Sequence, residues 1–218
     1  MKKHSKKIFI GSIILIFIVL ITILTMLVTA FVKEYEKQQQ LDFVYSQTSY
    51  DKIQENLENN SSLDDLYIKI DGNNILGVIE IDKINYQGLI YEGTSMDVLG
   101  KGIGHFTSSP ILNGNVCLAG HNYSGIWEKL YTLEKGDTIK YTSVLGTGIY
   151  NVCDVRQIEE TDMSVLENTQ EDKLTLITCV KNVPSKRLCV QAIATDVDWK
   201  NIFLITIPFY FKTWYAKY

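Results

Sequence analysis

Three residues carry side chains suited to acyl-transfer chemistry and stand where strand-like patterns end. Cys179 closes the run Thr175-Leu176-Ile177-Thr178-Cys179, which is apolar and β-branched and reads as a short buried strand. The breaker-rich run Lys181-Asn182-Val183-Pro184-Ser185 follows, and a second strand-like run extends from Arg187 to Ala194. Two neighbouring strands joined in this way place Cys179 at the end of one and Arg187 at the start of the next. Upstream, Leu118-Ala119-Gly120-His121-Asn122 ends another apolar run in a histidine. A sulfur nucleophile, an imidazole and a fixed planar cation are the parts of a cysteine transpeptidase or protease.

The chemistry sets a demand on the first two. A thiolate attacks a carbonyl carbon far better than a thiol does. A free cysteine and a free histidine, with ordinary pKa values near 8.5 and 6.5, are ~3% thiolate and about a quarter imidazolium at pH 7. Both are charged together in under ~1% of molecules if they ionise independently. Either a close ion pair raises that fraction, or turnover runs through a correctly protonated minority; the sequence leaves both routes open. In either case Cys179 becomes acylated and His121 protonates the leaving amine, then deprotonates the incoming one. Arg187 holds the substrate or the developing oxyanion, a task that suits a planar group with several donors.

Taken singly, each residue has a plainer explanation. Cysteine is often buried for packing alone, His121 could simply end a strand, and Arg187 could be a solvated loop cation. The joint pattern carries the weight. Ala119-Gly120-His121, Thr175-Leu176-Ile177-Thr178-Cys179 and Arg187 resemble, in order and spacing, the motifs of the sortase family of bacterial surface enzymes. The resemblance spans about Ile75 to Thr195 and includes Gly77-Val78-Ile79-Glu80-Ile81, Tyr91-Glu92-Gly93-Thr94 and Gly102-Ile103-Gly104-His105-Phe106. It implies an eight-stranded β-barrel, with Cys179, His121 and Arg187 as the catalytic residues and the minority-protonation route. It makes Thr178, His105 and Asn122 candidate substrate-site residues, with His105 supporting the site or substrate rather than acting as the acid. Asn122 stands where several sortases carry other residues, arginine among them, which leaves the subclass open.

The resemblance also implies a reaction. An LPxTG-like sorting signal on a surface protein is cleaved between Thr and Gly, and the acyl group passes to a peptidoglycan-precursor amine of a Gram-positive cell wall. Three alternatives share the parts or the fold: a cysteine protease with water as acceptor, a pilin-polymerising sortase, and a non-catalytic surface-binding barrel. No aspartate-aromatic lid segment precedes the barrel, which favours simple anchoring, of a class A or D kind, over pilus polymerisation.

The elements that must position these residues follow from the rest of the chain. It has 218 residues and a net charge of -4, which suggests one domain with appendages and no nucleic-acid partner. Ile8 to Val32 contains no charge. At about 1.5 Å per residue it reaches roughly 37 Å, enough to span a bilayer core of about 30 Å with some tilt. Lys2, Lys3, Lys6 and Lys7 precede it, whereas Lys33 and Lys37 are offset by Glu34 and Glu36. The charge bias puts residues 1–7 in the cytoplasm, makes 8–32 an uncleaved anchor, and puts the remainder outside the cell. Residues 33–70 are expected to form a helical stalk and linker, either lifting the domain off the lipid or packed against it.

Residues 71–197 change to short β-type runs separated by turn signals. Strands are expected over Ile75–Ile81, Tyr86–Tyr91, Asn115–Ala119, Thr138–Tyr141, Gly148–Val155, Leu174–Cys179 and Arg187–Ala194. Short helices are expected near Ile126–Tyr131 and Met163–Leu166. Many short strands with few helices read as a mainly β sandwich or barrel. The aromatic, apolar tail 198–218 is expected either to cap the barrel's apolar surface or to lie in the membrane interface, where its Trp and Tyr content favours the second. Cys117, Cys153 and Cys189 read as packing residues. No CxxC, zinc-ligand spacing or acidic calcium cluster is present in the sequence, so no cofactor is implied. Protease added to intact cells should degrade the domain after the anchor; complete protection behind a permeable wall would contradict the topology.

Overall fold

The computed structural model describes residues 2–48 and 67–199. The expected linker around Asn59–Ser62 and most of the aromatic tail lie outside the described residues. The chain forms two compact units, residues 1–42 and 43–218.

The first unit is the body of helix α1, Lys2–Gln47. Every side chain from Ile14 to Val32 is exposed, so the helix is apolar on all faces. A helix of this length and composition is suited to cross a membrane. Its polar exceptions satisfy themselves: the hydroxyls of Thr22, Thr25 and Thr29 donate to Val19 O, Thr22 O and Met26 O at 2.8, 2.8 and 2.9 Å. That matters in hydrocarbon, where no water is at hand to do so.

The second unit begins with the last turn of α1 and is otherwise a β-barrel. Its strands are β1 (Ile68–Ile70), β2 (Asn73–Ile81), β3 (Tyr86–Glu92), β4 (Ile103–His105) and β5 (Asn115–Ala119). There follow β6 (Thr138–Ser143), β7 (Gly146–Glu159), β8 (Lys173–Val180) and β9 (Val183–Trp199). The order across the sheet is β1-β2-β3-β4-β5-β8-β9-β7-β6, and β6 pairs back onto β2. Eight strands therefore close the ring, and β1 hangs on its edge. Among the described residues, closure leaves only this short strand with an unpaired side, which guards against edge-to-edge association.

Period-two alternation assigns the faces. Val116, Leu118, Leu174, Leu176, Leu188 and Val190 point into the main core. Their sequence neighbours point outward, where Ile158, Val165 and Cys189 form a small separate cluster with Ile177 and Leu166 against it. Gly77 sits at the seam where β2 meets both β3 and β6. A Cβ there would lie 1.9 Å from Thr142 O, so the seam closes only around glycine. At the base, Tyr45 from the last turn of α1 donates to Glu80 Oε1 at 2.7 Å and accepts from Gln87 Nε2 at 2.9 Å. Val44 beside it is wholly buried, so this last turn is packed on the barrel.

All seven expected strands are present. Two more, β1 and β4, have three residues each and are too short to show alternation. The expected helices near Ile126 and Met163 are single 3-10 turns, Leu130–Thr132 and Ser164–Leu166. The breaker-rich run after Cys179 is a tight hairpin: Asn182 takes a left-handed φ of 64°, and β9 already begins at Val183. Pro184 is tolerated at the start of β9 because a strand's first residues can forgo a ladder donor.

Gly77→Ala should destabilise the barrel by about 2 kcal/mol or more through overpacking of backbone at the seam. Thermal or urea unfolding of the detergent-solubilised chain measures this; an unchanged midpoint would contradict closure through β2 and β6.

Candidate active site

The three candidate catalytic residues lie on or just past the ends of adjacent strands at one end of the barrel. β5 and β8 are parallel, with Cys117 opposite Thr175 and Ala119 opposite Ile177. The ladder continues one step further, where Gly120 N–H donates to Ile177 O at 3.1 Å. His121, two residues past Ala119, and Cys179, two residues past Ile177, thus leave neighbouring strand ends in step. β9 returns antiparallel to β8 and sets Arg187 directly across from Cys179. Cys179 shares its face with Ile177, and Arg187 shares its face with Cys189. That is the outer surface of the barrel, so Cys179 is exposed while Thr178 beside it is buried.

Polar contacts fasten the histidine segment to the cysteine strand. The Asn122 amide Nδ2 donates to Cys179 O at 2.7 Å. Thr178 Oγ1 donates to Gly120 O at 2.7 Å. The Tyr123 ring stacks on His121 with centroids 5.2 Å apart and planes 28° apart. Trp127 N–H donates to His121 O at 3.2 Å, and its buried indole explains the preceding glycine. A Cβ on Gly120 would come within 2.7 Å of that ring. The glycine of Ala-Gly-His is therefore a packing requirement for the turn that carries His121.

Arg187 is held by its own end of the sheet. Its Nη1 donates to Pro184 O at 2.6 Å and Lys186 O at 2.9 Å, and Nη2 donates to Glu160 Oε2 at 2.9 Å. Behind the site, Asn115 pins the β7–β8 connection over the outer face. Its Nδ2 donates to Val165 O and Glu167 O, both at 2.9 Å, and Thr175 Oγ1 donates to its Oδ1 at 2.7 Å.

His105 occupies a different place. It is 1% exposed on β4, opposite Leu118 of β5. Nδ1 lies 2.9 Å from Glu92 Oε2, and Nε2 lies 3.0 Å from Ser109 Oγ and 3.2 Å from Pro110 O. Ser109 Oγ in turn accepts from Cys117 N–H at 3.1 Å. Of the two tasks expected of it, this geometry suits support from inside the fold, because both ring nitrogens are engaged and no surface faces a substrate. Thr178 likewise acts through a buried hydroxyl, and Asn122 spends its amide on the backbone of Cys179. Tyr123 and Glu160 were not legible in the sequence. Neither belongs to a motif: Tyr123 stacks on its near neighbour His121 in the loop after β5, and only the folded strands bring Glu160 to Arg187. Among the described residues, no cluster of three or more His, Cys, Asp or Glu side chains is placed to hold a metal ion.

The other thiols differ sharply from Cys179. Cys117 and Cys189 are wholly buried, and Cys153 is half-buried. Burial pushes the Cys117 thiol up to about 12 and the Cys189 thiol up to about 11. A raised pKa keeps a thiol protonated and poorly nucleophilic at mildly alkaline pH. Iodoacetamide at about pH 8 should therefore modify Cys179 in the native protein, and Cys117 and Cys189 only after unfolding. Peptide mass mapping reads this directly; native labelling of Cys117 or Cys189 would contradict the burial.

Comparisons with known proteins agree with the fold. The sortase domain model matches residues 79–195, more than half of the chain. The chain is 34% identical over 118 residues to sortase D of Bacillus subtilis (strain 168), covering 50% of this chain and 59% of that protein. It is 32% identical over 111 residues to sortase A of Listeria monocytogenes serovar 1/2a, covering 49% and 50% respectively. The matches thus span about half the length of these curated relatives. Among solved structures, Listeria monocytogenes sortase A superposes with a TM-score of 0.54 at 28% identity, covering 60% of this chain and 93% of that one. A Clostridium perfringens sortase D5 transpeptidase superposes with a TM-score of 0.58 at 27% identity, covering 73% and 98%. With the family model over residues 79–195 and the same closed barrel in solved relatives, the chain belongs to the sortase family.

Proposed function

We propose that this chain is a membrane-anchored cysteine transpeptidase that cleaves an LPxTG-like sorting signal and passes the acyl group to a cell-wall amine. One observation carries the reading: an exposed Cys179 on the outer face of β8, with His121 leaving the neighbouring strand end on one side and Arg187 paired to it on the other.

Cys179 Sγ attacks the carbonyl carbon of the signal's threonine. The amide C–N bond breaks and a thioester forms. His121 gives its proton to the departing amine, and the new amine terminus leaves. An incoming amine then attacks the thioester, His121 takes its proton, and Sγ departs from the new amide. The oxyanion of each tetrahedral intermediate falls to Arg187, whose remaining N–H donors are charge-assisted. Asn122 and Thr178 keep the two strand ends in register beside the substrate. The apolar helix α1 supports anchoring in a membrane, and the lysines before it favour a cytoplasmic N-terminus with the barrel outside. Surface proteins with a C-terminal sorting signal and a peptidoglycan-precursor amine are then the partners.

Incubation with sorting-signal peptides, with and without an added amine, separates the outcomes by mass spectrometry. An acyl adduct on Cys179 and an amine-dependent ligated product are expected. Hydrolysis unaffected by amine would instead identify a protease, and no adduct under any condition would leave a binding barrel. Cys179→Ala should abolish turnover. Arg187→Lys keeps the charge but loses the planar fork. It should lower kcat by about 10²–10³, the usual cost of one oxyanion donor. Near-wild-type kcat/KM for both Arg187→Lys and Arg187→Ala, with the fold intact by circular dichroism, would remove Arg187 from the site.

A further inference from the structure

Arg187 is the member of the trio whose reach is least determined by its backbone. Cross-strand pairing fixes its Cα opposite Cys179, yet a guanidinium on a flexible stem can swing over a wide arc. In this structure three of its five N–H donors are already committed: both Nη1 hydrogens to the carbonyls of Pro184 and Lys186, and one Nη2 hydrogen to Glu160 Oε2. Among the described residues, no hydrogen bond is made by the Nε–H or the second Nη2–H.

The carboxylate is delivered by the sheet. Ile158 of β7 pairs with Arg187 of β9, and Glu159 pairs with Lys186. The ladder runs on as Glu160 N–H donates to Ser185 O at 2.8 Å. Glu160 therefore follows Ile158 by two residues and reaches Arg187 along a diagonal. Lys186 and Glu159 make an ion pair of their own, so Glu160 is left to Arg187. The Arg187 and Glu160 side chains are 27% and 47% exposed. An ion pair this exposed adds little to stability, so its consequence lies in orientation.

We propose that Glu160 is a positioning residue: it fixes the plane of the Arg187 guanidinium so that the two uncommitted donors are presented to the substrate carbonyl or oxyanion. The inference rests on the transpeptidase reading, with Arg187 as oxyanion or substrate donor. Removing the carboxylate leaves the two carbonyl contacts on Nη1 alone, about which the guanidinium can tilt. Misplacement of a catalytic donor by about an ångström can cost as much as 10² in rate.

The test uses the full chain in detergent, an LPxTG-type peptide and an added amine acceptor. Glu160→Ala should lower kcat by about tenfold or more with KM little changed, because the donor matters most to the developing oxyanion. Glu160→Gln keeps an acceptor oxygen in place and should recover part of that loss, whereas a merely structural role would show in the melting temperature of both variants. In an Arg187→Lys background, Glu160→Ala should add little further loss, since the fork it orients is gone. Wild-type or raised kcat in Glu160→Ala would overturn the proposal, as would an equal loss in both backgrounds. An active wild type with an indifferent Glu160→Ala overturns this inference alone; a wild type that acylates no peptide at Cys179 overturns the transpeptidase reading and this inference with it.

Discussion

The parallel pairing of β5 with β8 is the constraint on which the site depends. Antiparallel neighbours would send the ends of these strands to opposite ends of the barrel. Parallel pairing brings both C-terminal ends to the same rim and steps His121 and Cys179 out together. Such a pairing cannot be made by a hairpin; it needs a long crossover. Here the crossover is the β6–β7 hairpin with its flanking loops, which also supplies the far wall of the barrel. Closing the ring through β2 and β6 and bringing Cys179 to the same rim as His121 are thus one topological event.

Side-chain parity then separates the exposed Cys179 from its buried neighbours. Along β8, Leu174, Leu176 and Thr178 face inward, while Thr175, Ile177 and Cys179 face outward. Most of that outer face is covered by the β7–β8 connection, held down by Asn115 and by the packing of Val165 with Ile158 and Cys189. The cover stops short of the rim, and Cys179 is left exposed. One strand thereby carries a buried hydroxyl and an exposed thiol side by side. The same rule explains Cys117 and Cys189, which lie on the outer face but under the cover, where burial raises their pKa and keeps them neutral.

Buried polar groups give the rim its rigidity. His105 is tied to Glu92, Ser109 and Pro110, and Ser109 is tied to the backbone of Cys117 one strand away. Inside low-dielectric surroundings such bonds are electrostatically strong when fully satisfied. They fix β4 and the segment leading into β5, and so the point from which the histidine turn departs. On the other side, Thr178 and Asn122 each contribute one short bond between the β5 and β8 ends. Positioning of this kind suits a reaction whose rate depends on the orientation of a thiolate, an imidazole and a guanidinium.

Residue type, pattern and order were legible in the sequence. The apolar run before Lys33, the alternating β segments, and the cysteine, histidine and arginine at strand ends follow from composition and periodicity, which are local properties. What only the tertiary structure decided is non-local. Strands of three residues such as β4 have no periodicity to read, yet β4 holds His105. The burial that distinguishes Cys117 and Cys189 from Cys179 depends on a connection folded back from elsewhere in the chain. Asn122 on the Cys179 carbonyl and Glu160 on Arg187 join residues far apart in the chain, and they depend on β8 lying beside β5 and β9 beside β7. The sequence by itself thus determined which groups are present to do chemistry, because side-chain chemistry is local. The fold decided how they face one another, because register and closure are set by contacts between residues far apart in the chain.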